Sequence, residues 1–274
     1  LEVRISWDNY AQIGATISGS PSAATGYAFG NLARAERSLT YRSASPATAF
    51  DASTTWTGNL PVSAVALFGL PAGLGNAGPL YVNIFTWNGA AWNLVAESTF
   101  AADVSNNSAF ARFGNWESRT LLWRPAAAVT AQGVKIVLSV TSAITWTASR
   151  LWIGNTWTPA RGIAYTSTFG MNDTSERVRA ADGSLRTIEG PKYRTMSVTF
   201  PALSDQEHSD LDYWHRVAAR DALLLPFAGE GSQREANETW IGRLVSPVSR
   251  TARPVWLPSG TISATAATLE FEEI

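Results

Sequence analysis

Apolar and polar residues alternate along much of this chain. Leu80-Tyr81-Val82-Asn83-Ile84-Phe85-Thr86-Trp87 has the period of two that a β-strand imposes. Asn88-Gly89 follows, then Ala90-Ala91-Trp92-Asn93-Leu94-Val95. Asn-Gly between two apolar runs predicts a hairpin, because both residues tolerate the positive φ that a tight turn needs. Residues 62–68 are mostly apolar and predict a well-buried strand. Shorter β-type pieces lie at Ala15-Thr16-Ile17 and Ser38-Leu39-Thr40-Tyr41, and residues 51–56 lead into a turn at Gly58-Asn59-Leu60-Pro61. Further strands are expected at 119–123, 134–140, 143–146 and 149–153. Several short strands with turns between them and no helix predict a sandwich or jelly roll.

A boundary is expected between Pro159 and Gly162. Beyond it, 162–169 reads as a strand, 177–186 as a hairpin around Asp182-Gly183, and 194–200 as a cleanly alternating strand. A helix is predicted over about 205–220. Ser204 is its N-cap, and Glu207 three residues on closes a capping box. Leu211, Trp214 and Ala218 form its apolar stripe, with Trp214 the main buried anchor, and Asp212 and Arg216 an i,i+4 ion pair. Residues 223–227 predict a strand ending at Pro226, and 238–245 and 267–272 the last two strands. The fold class is therefore mainly β, with domains at 1–158 and 159–274 and a single packed helix.

Composition narrows the function. Charged residues make up 16% of 274 residues, against about 25% in ordinary chains. The net charge of −1 points to neither nucleic acid nor an anionic membrane. A lightly charged surface near neutrality favours self-association. Cysteine is absent, which removes disulfides, thiolate nucleophiles and Cys-ligated metals. No run of 18 apolar residues occurs, and the opening Leu1-Glu2-Val3-Arg4-Ile5 is not patterned as a signal peptide. Only two of the 21 basic residues, Lys135 and Lys192, are lysine, and the rest are arginine, which suits subunit interfaces.

Candidate chemistry is sparse. Gly73-Leu74-Gly75-Asn76-Ala77-Gly78 matches G-x-G-x-x-G, but Pro79 and a β-type run follow where a dinucleotide site needs a helix. An inter-strand loop explains it better. His208 and His215 lie seven apart on the expected helix, whereas helical metal pairs sit at i,i+4, so no metal is expected. Asp51, Glu97, Asp103 and Glu117 are the candidates for a glycosidase pair, and nothing in the sequence brings two together. Of twelve tryptophans, Trp87, Trp92, Trp116 and Trp123 fall in the first half. Aromatics there stack on sugars, fill the core or anchor an interface, with core or interface favoured. No cofactor is expected.

Two resemblances add to this reading. The residue 51–56 turn, the Ala66-Leu67-Phe68-Gly69 strand, the Trp87-Asn88-Gly89…Trp92 hairpin and the closing Ser149-Arg150-Leu151-Trp152-Ile153-Gly154 resemble a discoidin-like jelly roll over about 30–155. Residues 150–274 are similar to distal tail proteins of long-tailed bacteriophages. Leu151-Trp152-Ile153-Gly154…Trp157-Thr158-Pro159, the Arg-rich hairpin, and Arg194-Thr195-Met196-Ser197-Val198-Thr199-Phe200 running into Leu203-Ser204-Asp205-Gln206-Glu207 carry that likeness. It implies a tail-tube-like β-sandwich in a structural virion protein of the tail tip or baseplate. Such a protein is made in the bacterial cytoplasm and assembled as a ring, commonly hexameric. It would join tail tube, hub, tape measure and peripheral fibres, without enzymatic activity, nucleic-acid binding or membrane insertion. Arg177, Arg179, Arg186, Trp214 and Trp240 are the expected interface residues. The alternative is a carbohydrate- or receptor-binding module using the jelly roll.

Overall fold

The computed structural model describes residues 2–13, 17–34, 39–100, 111–113, 119–164, 166–179, 184–217, 221–228, 233–245, 249–257 and 260–273. The chain forms two compact units. The first comprises Leu1–Trp157 with Leu223–Thr239, and the second Thr158–Ala222 with Trp240–Ile274.

The first unit opens with β1 (Glu2–Ser6), β2 (Ser18–Ser20), β3 (Tyr41–Arg42), β4 (Ala47–Val62) and β5 (Ala64–Phe68). β6 (Leu80–Trp87), β7 (Trp92–Phe100), β8 (Ala111–Phe113) and β9 (Leu121–Trp123) follow, then β10 (Val129–Ile144), β11 (Thr147–Ala148) and β12 (Arg150–Gly154). One sheet has the order β2-β4-β10-β6-β7 and a second β12-β5-β9-β8. Both contribute to a single core: Phe50, Val82, Ile84, Ile136 and Leu138 from the first meet Val65, Leu67, Trp123, Leu151 and Ile153 from the second. Two sheets, each apolar on the facing side, are what the alternating pattern dictates, since each pleated strand sends every second side chain inward. Phe29 stacks on Tyr41 with centroids 4.2 Å apart, Tyr41 meets Phe50 at a tilt of 55°, and Phe50 stacks on Trp146. Trp146 is fully buried, and its Nε1 donates to the Ala47 carbonyl at 3.0 Å.

The second unit contains β13 (Thr168–Asp173), β14 (Glu176–Arg179), β15 (Leu185–Ile188), β16 (Lys192–Leu203) and α1 (Asp205–Val217). β17 (Asp221–Ala228) and α2 (Gln233–Asn237) come next, then β18 (Trp240–Leu244), β19 (Ser249–Leu257) and β20 (Gly260–Glu273). β20 pairs with β16, β18 and β19, and β13 pairs with β16. Val198, Phe200, Leu269 and Phe271 are buried on this sheet. The capping box is present: the Glu207 carboxylate accepts from the Ser204 amide at 2.7 Å, and the Glu207 amide donates to Ser204 Oγ at 3.3 Å. β17 and α2 lie mostly in the stretch that belongs to the first unit. There β1 pairs antiparallel with β17, setting Ile5 opposite Leu224. Arg124 makes a buried ion pair with Glu235 of α2.

The structure corrects several expectations. The turn at residues 58–61 is not a turn. β4 runs straight through it, and residues 56–59 bulge out against the single residue Gln132, where Ala131 faces Leu60 and Gly133 faces Thr55. An excursion of this kind carries turn residues without ending the strand. Thr145 and Trp146 lie beyond β10, and the expected strand at 162–169 begins only at Thr168. β17 passes through Pro226. α2 makes a second, short helix where one was expected. The glycine-rich motif is a 3-10 helix over Ala72–Ala77 with Leu74 buried, not an open loop. Leu211 of α1 is buried, whereas Trp214 is only half-buried. Ala15, Thr16, Ser38, Asp182, Gly183 and Ala218 lie outside the described residues.

Candidate functional site

The inward face of the five-stranded sheet is committed to the core, so the outward face is what it offers to a ligand. On β6 the outward residues are Tyr81, Asn83, Phe85 and Trp87, because Leu80, Val82, Ile84 and Thr86 between them are buried. Register sets their neighbours. Trp87 lies between Gly133 of β10 and Trp92 of β7, and Phe85 between Lys135 and Leu94. Asn83 lies between Val137 and Glu97, and Tyr81 between Ser139 and Thr99. Beyond β10, β4 adds Thr55, Ser53 and Asp51 opposite Gly133, Lys135 and Val137.

Trp87 and Trp92 face each other across the mouth of the hairpin. Their ring centroids are 5.3 Å apart at an interplanar angle of 49°, and both are half-buried. The turn that joins them is tied by Asn88, whose Oδ1 accepts from the amides of Ala90 and Ala91 at 2.9 Å each. Gly89 takes a φ of 97°, which an L side chain strains to adopt. On the other flank of Trp87, Gly133 is closely packed and buried. A Cβ there would come within 2.7 Å of the Thr54 carbonyl oxygen and 3.0 Å of the Trp87 Cβ. Amides edge this end of the sheet: Gln132 Nε2 donates to Asn59 Oδ1 at 3.1 Å.

Polar groups continue along the shelf formed by β10 and β4. Burial pushes the Asp51 carboxyl above its usual range, while the Lys135 charge and the Ser20 amide act in the other direction. Asp51 and Glu97 share one row of the sheet but lie on β4 and β7, with β10 and β6 between them. Three strand spacings amount to about 14 Å, beyond the roughly 5–9.5 Å that glycosidase carboxylates need. These two therefore do not form a hydrolytic pair, and Asp103 and Glu117 lie outside the described residues.

The other candidates scatter. Trp123 is fully buried in the core, and Trp116 lies outside the described residues. Arg177, Arg179 and Arg186 stand on the β14–β15 ribbon, whose residues are all exposed. Trp214 is half-buried, and Trp240, at 4% exposure, presents little surface to a partner. Among the described residues no group of three His, Asp or Glu is placed to hold a metal ion. His208 Nδ1 instead lies 4.0 Å from Asp212. No described helix is long and apolar enough to cross a membrane.

Tyr81, Phe85, Lys135 and Gly133 were not singled out from the sequence. The signal was present in the odd positions of β6, but that strand is apolar on both faces, so alternation alone does not say which face is wet.

No family model matches the chain, and no curated protein does. Several solved structures are similar. A family 32 carbohydrate-binding module from Clostridium perfringens NanJ, solved with galactose, is 12% identical, with a TM-score of 0.39 over 55% of this chain and 99% of its own. A second C. perfringens module, CBM32-1 of a family 31 glycoside hydrolase, is 9% identical, with a TM-score of 0.37 over 53% of this chain and 96% of its own. The GH29 fucosidase of Ruminococcus gnavus, solved with fucose, is 14% identical, with a TM-score of 0.40 over 55% of this chain. This chain matches only 27% of that fucosidase's length. Likeness at this level does not say what the chain binds. These similar structures are carbohydrate-binding domains and a glycoside hydrolase, and no phage tail or baseplate protein is indicated. The reading as a virion tail-tip or baseplate subunit built into an oligomeric ring is corrected accordingly.

Proposed function

We propose that this protein is a non-catalytic carbohydrate-binding module whose site is the outward face of the five-stranded sheet, centred on Trp87 and Trp92. The observation that carries the reading is this tryptophan pair, half-exposed on the outward face of the sheet. A sugar ring is amphipathic: its C–H faces are apolar and its hydroxyls point around the rim. An aromatic ring offers an electron-rich face to the first. Amide, hydroxyl and carboxylate groups accept and donate to the second, and Asn83, Gln132, Asn59 and Ser53 stand around the aromatics for that purpose. Among the described residues, the separation of Asp51 and Glu97 leaves the face able to hold a sugar without these two acids acting as a pair to cleave it.

The test is a glycan array of neutral and acidic mono-, oligo- and polysaccharides, with titration calorimetry on the hits. Binding is expected, and Trp92→Ala should weaken it at least tenfold, about 1.4 kcal/mol, with the thermal unfolding transition retained. A protein that binds no glycan, or a Trp92→Ala variant that binds as well as wild type, refutes the assignment.

A further inference from the structure

The aromatic residues of this face do not cluster around one point. On β6 they take three of the four outward positions, Tyr81, Phe85 and Trp87, and Tyr81 stands 43% exposed at the end away from the tryptophan pair. Six residue steps separate Tyr81 from Trp87, about 20 Å at the rise of an antiparallel strand. Trp92 and Leu94 on β7 widen the ridge to roughly two strand spacings, about 10 Å. Beside it, β10 and β4 contribute mostly small or polar side chains at Gly133, Ser139, Ser53 and Thr55, which makes a shallow shelf along the ridge.

Resting on the carbohydrate-binding reading, we infer that the ligand is an internal stretch of a neutral polysaccharide, several sugar residues long, lying along β6 with its rings on Trp87, Phe85 and Tyr81. A site for one terminal sugar would need a pocket closed on several sides and would leave Tyr81 unused. Charge selects the neutral class. Glu97 is exposed on the ridge beside Asn83, and Asp51 offsets Lys135 on the shelf, so these groups offer an anionic chain no net positive charge and one repulsive carboxylate. The same balance excludes a single-stranded nucleic acid, which stacks on aromatics but also needs a basic groove for its phosphates. The ridge covers on the order of 200 Å², far below the ~800 Å² per partner of an ordinary protein interface.

Calorimetry with β-1,4-linked gluco-, manno-, galacto- and xylo-oligosaccharides of one to six residues tests this on the full chain. Affinity for at least one series should rise tenfold or more from the monosaccharide to the tetrasaccharide. Tyr81→Ala, at an exposed position where folding is not at risk, should lower tetrasaccharide affinity several-fold and leave the monosaccharide unchanged. Equal affinity at all lengths, or an equal effect of Tyr81→Ala on short and long ligands, overturns the extended site and leaves the carbohydrate-binding reading standing. Array binding confined to acidic glycans does the same. No binding to any glycan overturns both.

Discussion

Glu235 is fully buried, and Arg124, whose side chain is only 10% exposed, meets it in a two-pronged contact. Arg124 Nε donates to one carboxylate oxygen and Nη2 to the other at 3.4 Å. Together they fix α2 within the first unit. Glu235→Ala leaves the guanidinium buried without its counter-charge. Truncating one member of such a pair costs about 3–5 kcal/mol, most of it the penalty of the stranded charge. Replacing both members with apolar residues of similar size, Arg124→Met with Glu235→Leu, removes that penalty and should unfold no earlier than wild type. Urea titrations followed by tryptophan fluorescence read the effect, because Trp123, Trp146 and Trp152 are buried in this unit. A Glu235→Ala loss under about 1 kcal/mol, or a double variant as unstable as the single one, would refute the claim that an uncompensated charge is what the pair prevents.

Two further predictions concern protonation. Burial, reinforced by Asp8 for Tyr10 and by Asp51 for Tyr41, pushes both phenols up to about 12. A raised pKa means stability that is whole below the ordinary tyrosine value of about 10 and is lost as pH rises through about 12. Melting temperature should therefore fall across that window and fall less in Tyr10→Phe and Tyr41→Phe; an unchanged slope in the double variant would contradict this. Burial pushes the Glu207 carboxyl up, but the amides of Ala160 and Ser204, the Ser204 hydroxyl and Arg161 together hold it below 4.5. Its contribution is present above that value and lost as pH falls through the lowered one. Ser204→Ala should cost about 1 kcal/mol at neutral pH and blunt this acid sensitivity, measured as unfolding midpoints at pH 7 and pH 3.

What the chain revealed of itself followed the range of its interactions. The β6–β7 hairpin and the α1 capping box are local, written in residues at most a few positions apart, and both were legible. The bulge at residues 56–59 was misread because Gly58-Asn59-Leu60-Pro61 has the chemistry of a turn, while the partner strand that carries β4 past it lies more than seventy residues on. The same applies to Pro226: a proline interrupts a ladder only where its missing N–H is needed, and the sequence does not say which edge faces a neighbour. α2 is too short to show a helical period. The aromatic ridge was hidden for another reason. Tyr81, Phe85 and Trp87 have the composition of a core, and only the burial of Leu80, Val82 and Ile84 beneath them shows that they face out.

The return of Leu223–Thr239 to the first unit sets a schedule for the chain as it is made. When Trp157 has left the ribosome, β1 still lacks the strand that pairs with it, and Arg124 is a buried cation in waiting, its acid not yet translated. About 80 more residues must be added, roughly 4–16 s at ~5–20 residues per second. During that interval β1 waits without its antiparallel partner while the second unit's first segment, Thr158–Ala222, emerges. A fragment ending near residue 158 would be held permanently at that stage.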